Sequence, residues 1–350
     1  MSAFRVALSG DFIRPDGAPA FPDFDVTALE NEPGVEVAYV QPVDGVMPAA
    51  GLADFDALIL LVPRFARESV PAGGRLGMVA RFGVGYDNVD LAACTDNSIA
   101  AVITPDGVRR PVAVAIITFM LALAGKLMLK DALCRAGPAG WDQKIDHMGV
   151  GVVGKTLGSI GIGNIGAEMF RLARPFDMEF IAHDPFADEG VAAELGVRLV
   201  GLEELFANAD FLAVNCPWVP ETTKLVNAER LASMKPTAFV INTARGPIVD
   251  QAALAAALRD GTIAGAALDV FEDEPTAVDD PIFLLDNVIC TPHALCWTDQ
   301  CFAGIGAADV KAAVDMMHGQ VPVGVVNREV LDTPAWQARL KDYGARFGSR

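Results

Sequence analysis

Residues 155–166 read KTLGSIGIGNIG, and Gly161-x-Gly163-x-x-Gly166 within them has the spacing of a turn that cradles a pyrophosphate. An apolar run, Leu157–Ile162, leads into the turn, and Ala167–Arg174 behind it has helical composition. In that strand–turn–helix context glycines make the bend, let the backbone approach phosphates, and seat helix against strand. The helix N-terminus adds unpaired N–H groups and a partial positive charge facing the phosphates. About 18 residues beyond Gly166, the short strand Phe180–His183 ends in Asp184. A carboxylate there accepts hydrogen bonds from an adenosine ribose and repels a 2′-phosphate. The chemistry implied is NAD(H) binding. A rival pattern, Gly149-x-x-x-x-Gly154-Lys155-Thr156, matches a P-loop by letters. It follows the polar segment Asp142–Met148 and opens a strand, the reverse of P-loop context, and is rejected.

Three later segments carry reactive side chains. They are NTARGPIVD (242–250), AALDVFEDEP (266–275) and CTPH (290–293). Each follows a strand-like run at its carboxyl end, where open α/β sheets bind ligands. Together they offer the guanidinium of Arg245, the carboxylate of Glu274 and the imidazole of His293. Singly, these would read as a surface arginine, a loop acid and a loop histidine. Their placement at successive strand ends makes them a candidate set. His147, His183 and His318 have no such support, and Cys296 reads as a small packing residue.

Apolar strand candidates alternate with helical segments throughout. The first series is Phe4–Leu8, Val35–Val40, Ala57–Val62, Gly77–Arg81 and Ile99–Val102. The second is Thr156–Ile162, Glu179–Ala182, Arg198–Val200, Phe211–Val214, Ala238–Ile241, Ala266–Leu268 and Val288–Cys290. Two such series predict an α/β protein with two doubly wound parallel-sheet domains. A turn at Thr104–Gly107 and a helix at Val112–Leu129 carry the chain onward. The helical segment Asp299–His318 returns it, so residues 1–104 and 299–350 form a discontinuous domain around 105–298. In the tail, Trp336, Leu340, Tyr343 and Phe347 make a helical stripe that needs a surface to cover, with Gly344 weakening the helix.

A net charge of −18 argues against nucleic acid as a partner. The apolar run Val112–Gly125 reads as a buried helix too short to span a bilayer, so no membrane is expected. Cys94, Cys134, Cys216, Cys290, Cys296 and Cys301 show no metal spacing, and no metal is expected. Reduced thiols and the absence of a signal-peptide layout at MSAFRVALSG point to the cytoplasm.

From about residue 50 to 330 the chain resembles the D-isomer-specific 2-hydroxyacid dehydrogenases. The resemblance rests on RFGVGYDNVD (81–90), the GIGNIG turn, Cys216-Pro217 through Glu221-Thr222, NTARGPIVD, LDVFEDEP, TPH and Gly324–Asn327, in order. It implies a Rossmann NAD-binding domain inserted into a flavodoxin-like substrate domain. It further implies that Arg245 holds the substrate carboxylate and the reacting oxygen, that His293 is the general acid and base, and that Glu274 orients its ring. Backbone N–H groups of Val84 and Gly85 would hold the carboxylate, and Trp297 would line the pocket. Asp269 would meet the nicotinamide amide. Asn164, Ile165, Asp184, Cys216, Pro217, Thr222 and Thr243 would make the remaining cofactor contacts. A homodimer built partly on the helix Val112–Leu129 is implied as well.

The chain departs from the family at Asn215, where a histidine is usual, at Trp218-Val219, at Val114, and in the two arginines Arg109 and Arg110. An NAD(H)-sensing binding protein of the corepressor type remains the alternative on the same fold, because such proteins keep the Arg–Glu–His set. Glu274 disfavours the formate dehydrogenase branch, which carries glutamine there.

Overall fold

In the computed structural model, which describes residues 3–348, the apolar runs become twelve strands in two parallel sheets. The chain divides into two units, Met1–Val108 with Thr298–Arg350, and Arg109–Trp297.

In the first unit β1 (Phe4–Ser9), β2 (Val35–Val40), β3 (Ala57–Leu60), β4 (Met78–Arg81) and β5 (Ala100–Ile103) lie in the order β2-β1-β3-β4-β5, the flavodoxin-like arrangement. Helices cover both faces, so β3 is buried at every position and reads as an unbroken apolar run. Leu58, Leu60 and Val79 fill one side of the core with Met47, Leu52 and Phe65. The other side holds an aromatic group in which Phe82 meets Phe12, Phe24 and Phe302.

The helix Asp299–Met317 starts at Thr298, whose hydroxyl accepts the Cys301 N–H (3.1 Å), and packs on β4. The tail stripe is ordered as the helix Pro334–Phe347, with Trp336 and Tyr343 buried; Ser349 and Arg350 lie outside the described residues. Tyr343 donates its hydroxyl to Asp56 (2.7 Å) and sets its ring against the edge of Phe4. Gly344, expected only to weaken this helix, is a point of close approach. A Cβ built on Gly319 would stand 2.8 Å from the Gly344 Cα.

In the second unit β6 (Thr156–Ile160), β7 (Glu179–His183), β8 (Arg198–Leu199), β9 (Phe211–Val214), β10 (Phe239–Asn242), β11 (Gly265–Leu268) and β12 (Val288–Cys290) run in the order β12-β11-β10-β9-β6-β7-β8. That is the Rossmann order with one further strand. Separate apolar clusters, around Phe170, Phe211 and Ile241 and around Leu212, Val240 and Leu254, cover its two faces.

One stretch folds differently from its sequence expectation. The turn expected at Thr104–Gly107 and the helix expected at Val112–Leu129 form instead a single helix, Pro105–Gly125. Pro105 fits a first helical position because its missing N–H would be unpaired there anyway. The helix stops at Lys126, which takes a left-handed conformation (φ 52°), and a new helix runs over Leu127–Arg135. At 21 residues it is long and apolar enough to cross a membrane by length and composition, unlike the shorter run read from sequence, yet half of its apolar window is buried within the fold.

Candidate active site

The three fingerprint glycines answer three separate constraints. Gly161 follows β6 with φ +95°, and a Cβ there would stand 2.8 Å from the Asn215 carbonyl oxygen. Gly166 sits so close to the turn that a Cβ would reach within 2.5 Å of the Gly161 oxygen. A Cβ on Gly163 would meet nothing within 4 Å, so this glycine faces open space. Gly163 caps the helix Asn164–Ala173, whose first turn holds Asn164 and Ile165 with their N–H groups toward the turn. Ser159, fully buried, donates its hydroxyl to Gly161 O (2.6 Å) and accepts from Asn215 Nδ2 (2.9 Å). Asn215, where the family usually has histidine, thus braces the turn.

Asp184 directly follows β7, with both oxygens anchored. Oδ2 accepts the Ile162 N–H (3.0 Å) and Oδ1 the Phe186 N–H (2.9 Å). Cys216 follows β9, and burial pushes its thiol up to about 11; the nearby Asp184 charge adds to that against the pull of a backbone hydrogen bond. Thr222 donates to Pro217 O (2.7 Å) and accepts the Val219 N–H (2.9 Å), closing the 217–222 loop on itself. The Thr243 hydroxyl, past the end of β10, is buried with no partner among the described residues. A buried hydroxyl is costly to leave unpaired and suits a bound ligand. With the open face at Gly163, these residues fit a dinucleotide.

The reactive side chains stand past the ends of β10, β11 and β12. Asn242, fully buried, donates to Arg245 O (2.9 Å) and accepts the Ala244 N–H (3.0 Å), which shapes the turn carrying Arg245. The guanidinium donates to Ala244 O (2.8 Å). Glu274 Oε1 accepts the Phe271 N–H (2.9 Å), and Oε2 lies 2.7 Å from His293 Nδ1. Burial pushes the Glu274 carboxyl up, but the His293 hydrogen bond and charge, the Phe271 N–H and the Arg245 charge outweigh it, so the acid sits below its ordinary value. It is therefore ionised at neutral pH. An ionised acceptor at Nδ1 places a proton there and leaves Nε2 for chemistry.

His293 occupies the left-handed region (φ 53°), uncommon for a residue with a side chain. Asp269 holds it there. Buried at the end of β11, its Oδ1 accepts from the Thr291 hydroxyl (2.5 Å) and from the N–H groups of Ala294 (3.0 Å) and Leu295 (3.1 Å). The carboxylate expected to meet a nicotinamide amide thus clasps both sides of the His293 loop. Trp297, half-exposed, ends that loop.

In the first unit Val84 and Gly85 lie in the loop after β4. Gly83 is clamped by Thr104, which accepts its N–H at Oγ1 (3.1 Å) and donates its own N–H to Gly83 O (2.9 Å). The N–H groups of Val84 and Gly85 have no partner among the described residues. Arg110, one of the two arginines that depart from the family pattern, pairs with the buried Glu168 (2.7 Å). Reading the sequence did not single out Asn242, Ser159 or Thr291. All three fall inside the quoted motifs, but nothing local signals their partners.

Residues 117–294 match the model of the D-isomer specific 2-hydroxyacid dehydrogenase, NAD binding domain. The chain is 36% identical over 281 residues to a glyoxylate reductase of Korarchaeum cryptofilum, an alignment covering 79% of this chain and 84% of that one. It is 37% identical over 276 residues to a D-3-phosphoglycerate dehydrogenase of Methanocaldococcus jannaschii, covering 78% of this chain and 52% of the relative. The chain thus spans about half the length of that relative. Among solved structures, the D-lactate dehydrogenase of Aquifex aeolicus complexed with NAD and lactic acid superimposes with a TM-score of 0.78 at 28% identity, covering 92% of this chain and 99% of that one. The NADPH-dependent glyoxylate/hydroxypyruvate reductase of Sinorhizobium meliloti, in complex with NADP and malonate, gives 0.77 at 29%, covering 93% and 98%.

Proposed function

Because the chain belongs to the D-isomer-specific 2-hydroxyacid dehydrogenase family and is a nicotinamide-dinucleotide oxidoreductase of CH–OH groups, we propose that it interconverts a 2-oxo acid and a D-2-hydroxy acid through Arg245, Glu274 and His293. The observation that carries this reading is the Glu274 carboxylate held between the Phe271 N–H and His293 Nδ1.

A nicotinamide cofactor held by these residues would supply the hydride that reduces the carbonyl carbon. His293 delivers a proton from Nε2 to the carbonyl oxygen, and takes it back in the oxidising direction. Glu274 keeps the ring's orientation through Nδ1, and its charge stabilises the protonated ring. Arg245 uses its fork of donors on the substrate carboxylate and the reacting oxygen. Val84 and Gly85 supply backbone N–H groups to the carboxylate, and Trp297 lines the pocket. Asp269 carries a second role at the nicotinamide amide. The glycine turn, Asn164 and Ile165 take the pyrophosphate, Asp184 the adenosine ribose, and Cys216, Pro217, Thr222 and Thr243 the remaining cofactor edges. NADH is preferred over NADPH on the strength of Asp184.

A panel of 2-oxo acids, glyoxylate and hydroxypyruvate among them, followed by the loss of NADH absorbance and by chiral analysis of the product, tests the reading. Turnover to a D product is expected. An L product would overturn the stereochemical part. NADH binding with no turnover on any acid would turn the assignment to a binding protein.

We read the protein as a homodimer. Leu121, Leu127, Met128 and Trp141 expose large apolar surface on the helices over Pro105–Gln143. Monomer mass by light scattering at micromolar concentration would count against it. The six free cysteines fit a cytoplasmic setting.

A further inference from the structure

We propose that Asn88 is a positioning residue for the substrate, strapping the segment after β3 onto the loop after β4 so that the Val84 and Gly85 N–H groups stay aimed at one point. The inference rests on the reading of those two groups as carboxylate donors.

Asn88 Nδ2 faces three consecutive carbonyl oxygens, those of Leu61 (3.2 Å), Val62 (3.4 Å) and Pro63 (2.9 Å). Three acceptors admit only the NH₂ end of an amide, so its orientation follows from chemistry. The backbone completes the strap. Phe65 N–H donates to Asn88 O (2.8 Å), and Asp90 N–H to Phe65 O (2.8 Å). The strapped segment is in turn tied to the end of β1, where Ser9 Oγ accepts the Leu61 N–H (3.1 Å) and Asp11 the Val62 N–H (2.9 Å).

On the other shoulder of the loop, Thr104 clamps Gly83 and the Arg81 guanidinium donates to Phe82 O. Between these anchors lie Val84 and Gly85, whose N–H groups, like those of Tyr86 and Asn88, have no partner among the described residues. A pair of backbone donors binds a carboxylate well only when both point at it, and a displacement of about 1 Å is enough to cost on the order of 10²-fold.

One detail argues for function over stability. The Asn88 Oδ1 is buried and has no partner among the described residues. Buried acceptors are ordinarily satisfied, so a side chain selected for stability alone would not leave one bare. The donor end explains why an amide stands here.

The test compares Asn88→Ala and Asn88→Ser with Val84→Pro, which removes one donor itself. For each, KM and kcat for the best oxo acid, inhibition by oxamate, NADH affinity and Tm are measured. Asn88→Ala is expected to raise KM and the oxamate inhibition constant together by about tenfold or more, with kcat and NADH affinity within about twofold. Asn88→Ser, which keeps a short donor, should recover part of that loss, and it provides the measurement if the alanine variant does not fold. An unchanged KM in Val84→Pro would overturn the donor reading itself. A raised KM in Val84→Pro with an unchanged KM in folded Asn88→Ala would overturn the strap alone, as would a lower Tm in Asn88→Ala with both constants unmoved.

Discussion

The two sheets obey one topological rule and use it in opposite ways. In each, the strand order reverses beside its first strand, and the crevice outside the strand ends at that reversal is where a ligand finds room. In the second unit the reversal lies between β6 and β9. There Gly161 and Gly163 keep the backbone bare, and Asn215 braces the turn from behind through Ser159. In the first unit the reversal lies between β1 and β3, and side chains bridge it. Asp11 accepts from both the Ser9 hydroxyl (2.6 Å) and the Val62 N–H (2.9 Å), and Ser9 accepts the Leu61 N–H. The donors proposed for the substrate in that unit, Val84 and Gly85, sit one strand further out, past β4. Topology allows a crevice at two places, and polar side chains at the strand ends decide which one stays open.

His293→Ala should lower kcat by something on the order of 10²–10⁴ while leaving NADH affinity nearly intact. Steady-state kinetics beside a fluorescence titration of NADH separates the two. An unchanged kcat would remove His293 from the chemistry.

Next in size is cofactor choice. Asp184→Ala should move the NADPH-to-NADH ratio of kcat/KM toward NADPH by roughly 10–100-fold, because a like-charge contact with the 2′-phosphate is unfavourable. The same change frees the Ile162 N–H, so NADH itself should bind more weakly. An unmoved ratio would show that another residue sets the preference.

The closed reversal should matter for stability. Asp11→Ala is expected to cost about 1–3 kcal/mol, chiefly by stranding the buried Ser9 hydroxyl, with NADH affinity unchanged. Urea unfolding reads the first and titration the second. A loss of NADH affinity would mean that the two reversals are coupled.

The smallest effect concerns two acids of opposite behaviour. Burial holds the Asp309 carboxyl well above the carboxylate range, although the Arg81 charge pulls it down, and neither oxygen has a partner among the described residues. The folded protein therefore keeps a proton that the unfolded chain releases above about pH 4. Stability from this group is full below that pH and is lost as pH rises. Asp309→Asn should flatten that slope and raise stability at neutral pH by about 1 kcal/mol, or about 2–4 °C in Tm. Glu274 runs the other way, its lowered value giving stability above the ordinary carboxylate range that is lost as pH falls through it. Thermal melts from pH 3 to 8 check both signs; a lower Tm in Asp309→Asn would mean that the carboxyl serves the fold as a charge.

Sequence by itself determined the two series of strands, the fingerprint glycines and the strand ends that carry Arg245, Glu274 and His293. These are properties of short segments, where apolar period, turn chemistry and motif spacing act over a few residues. The tertiary structure alone decided what holds them. Asp269 reaches Thr291, Ala294 and Leu295 from 22 to 26 positions away, Asn88 reaches Leu61–Pro63 from 25 to 27, and Asn215 reaches Ser159 from 56. The start of the helix Pro105–Gly125 also escaped the sequence, because a proline reads equally as a turn or as a first helical residue until neighbours select one. Hydrogen bonds between distant side chains leave no period to detect, since an aspartate or an asparagine looks the same alone whether it faces water or three buried donors.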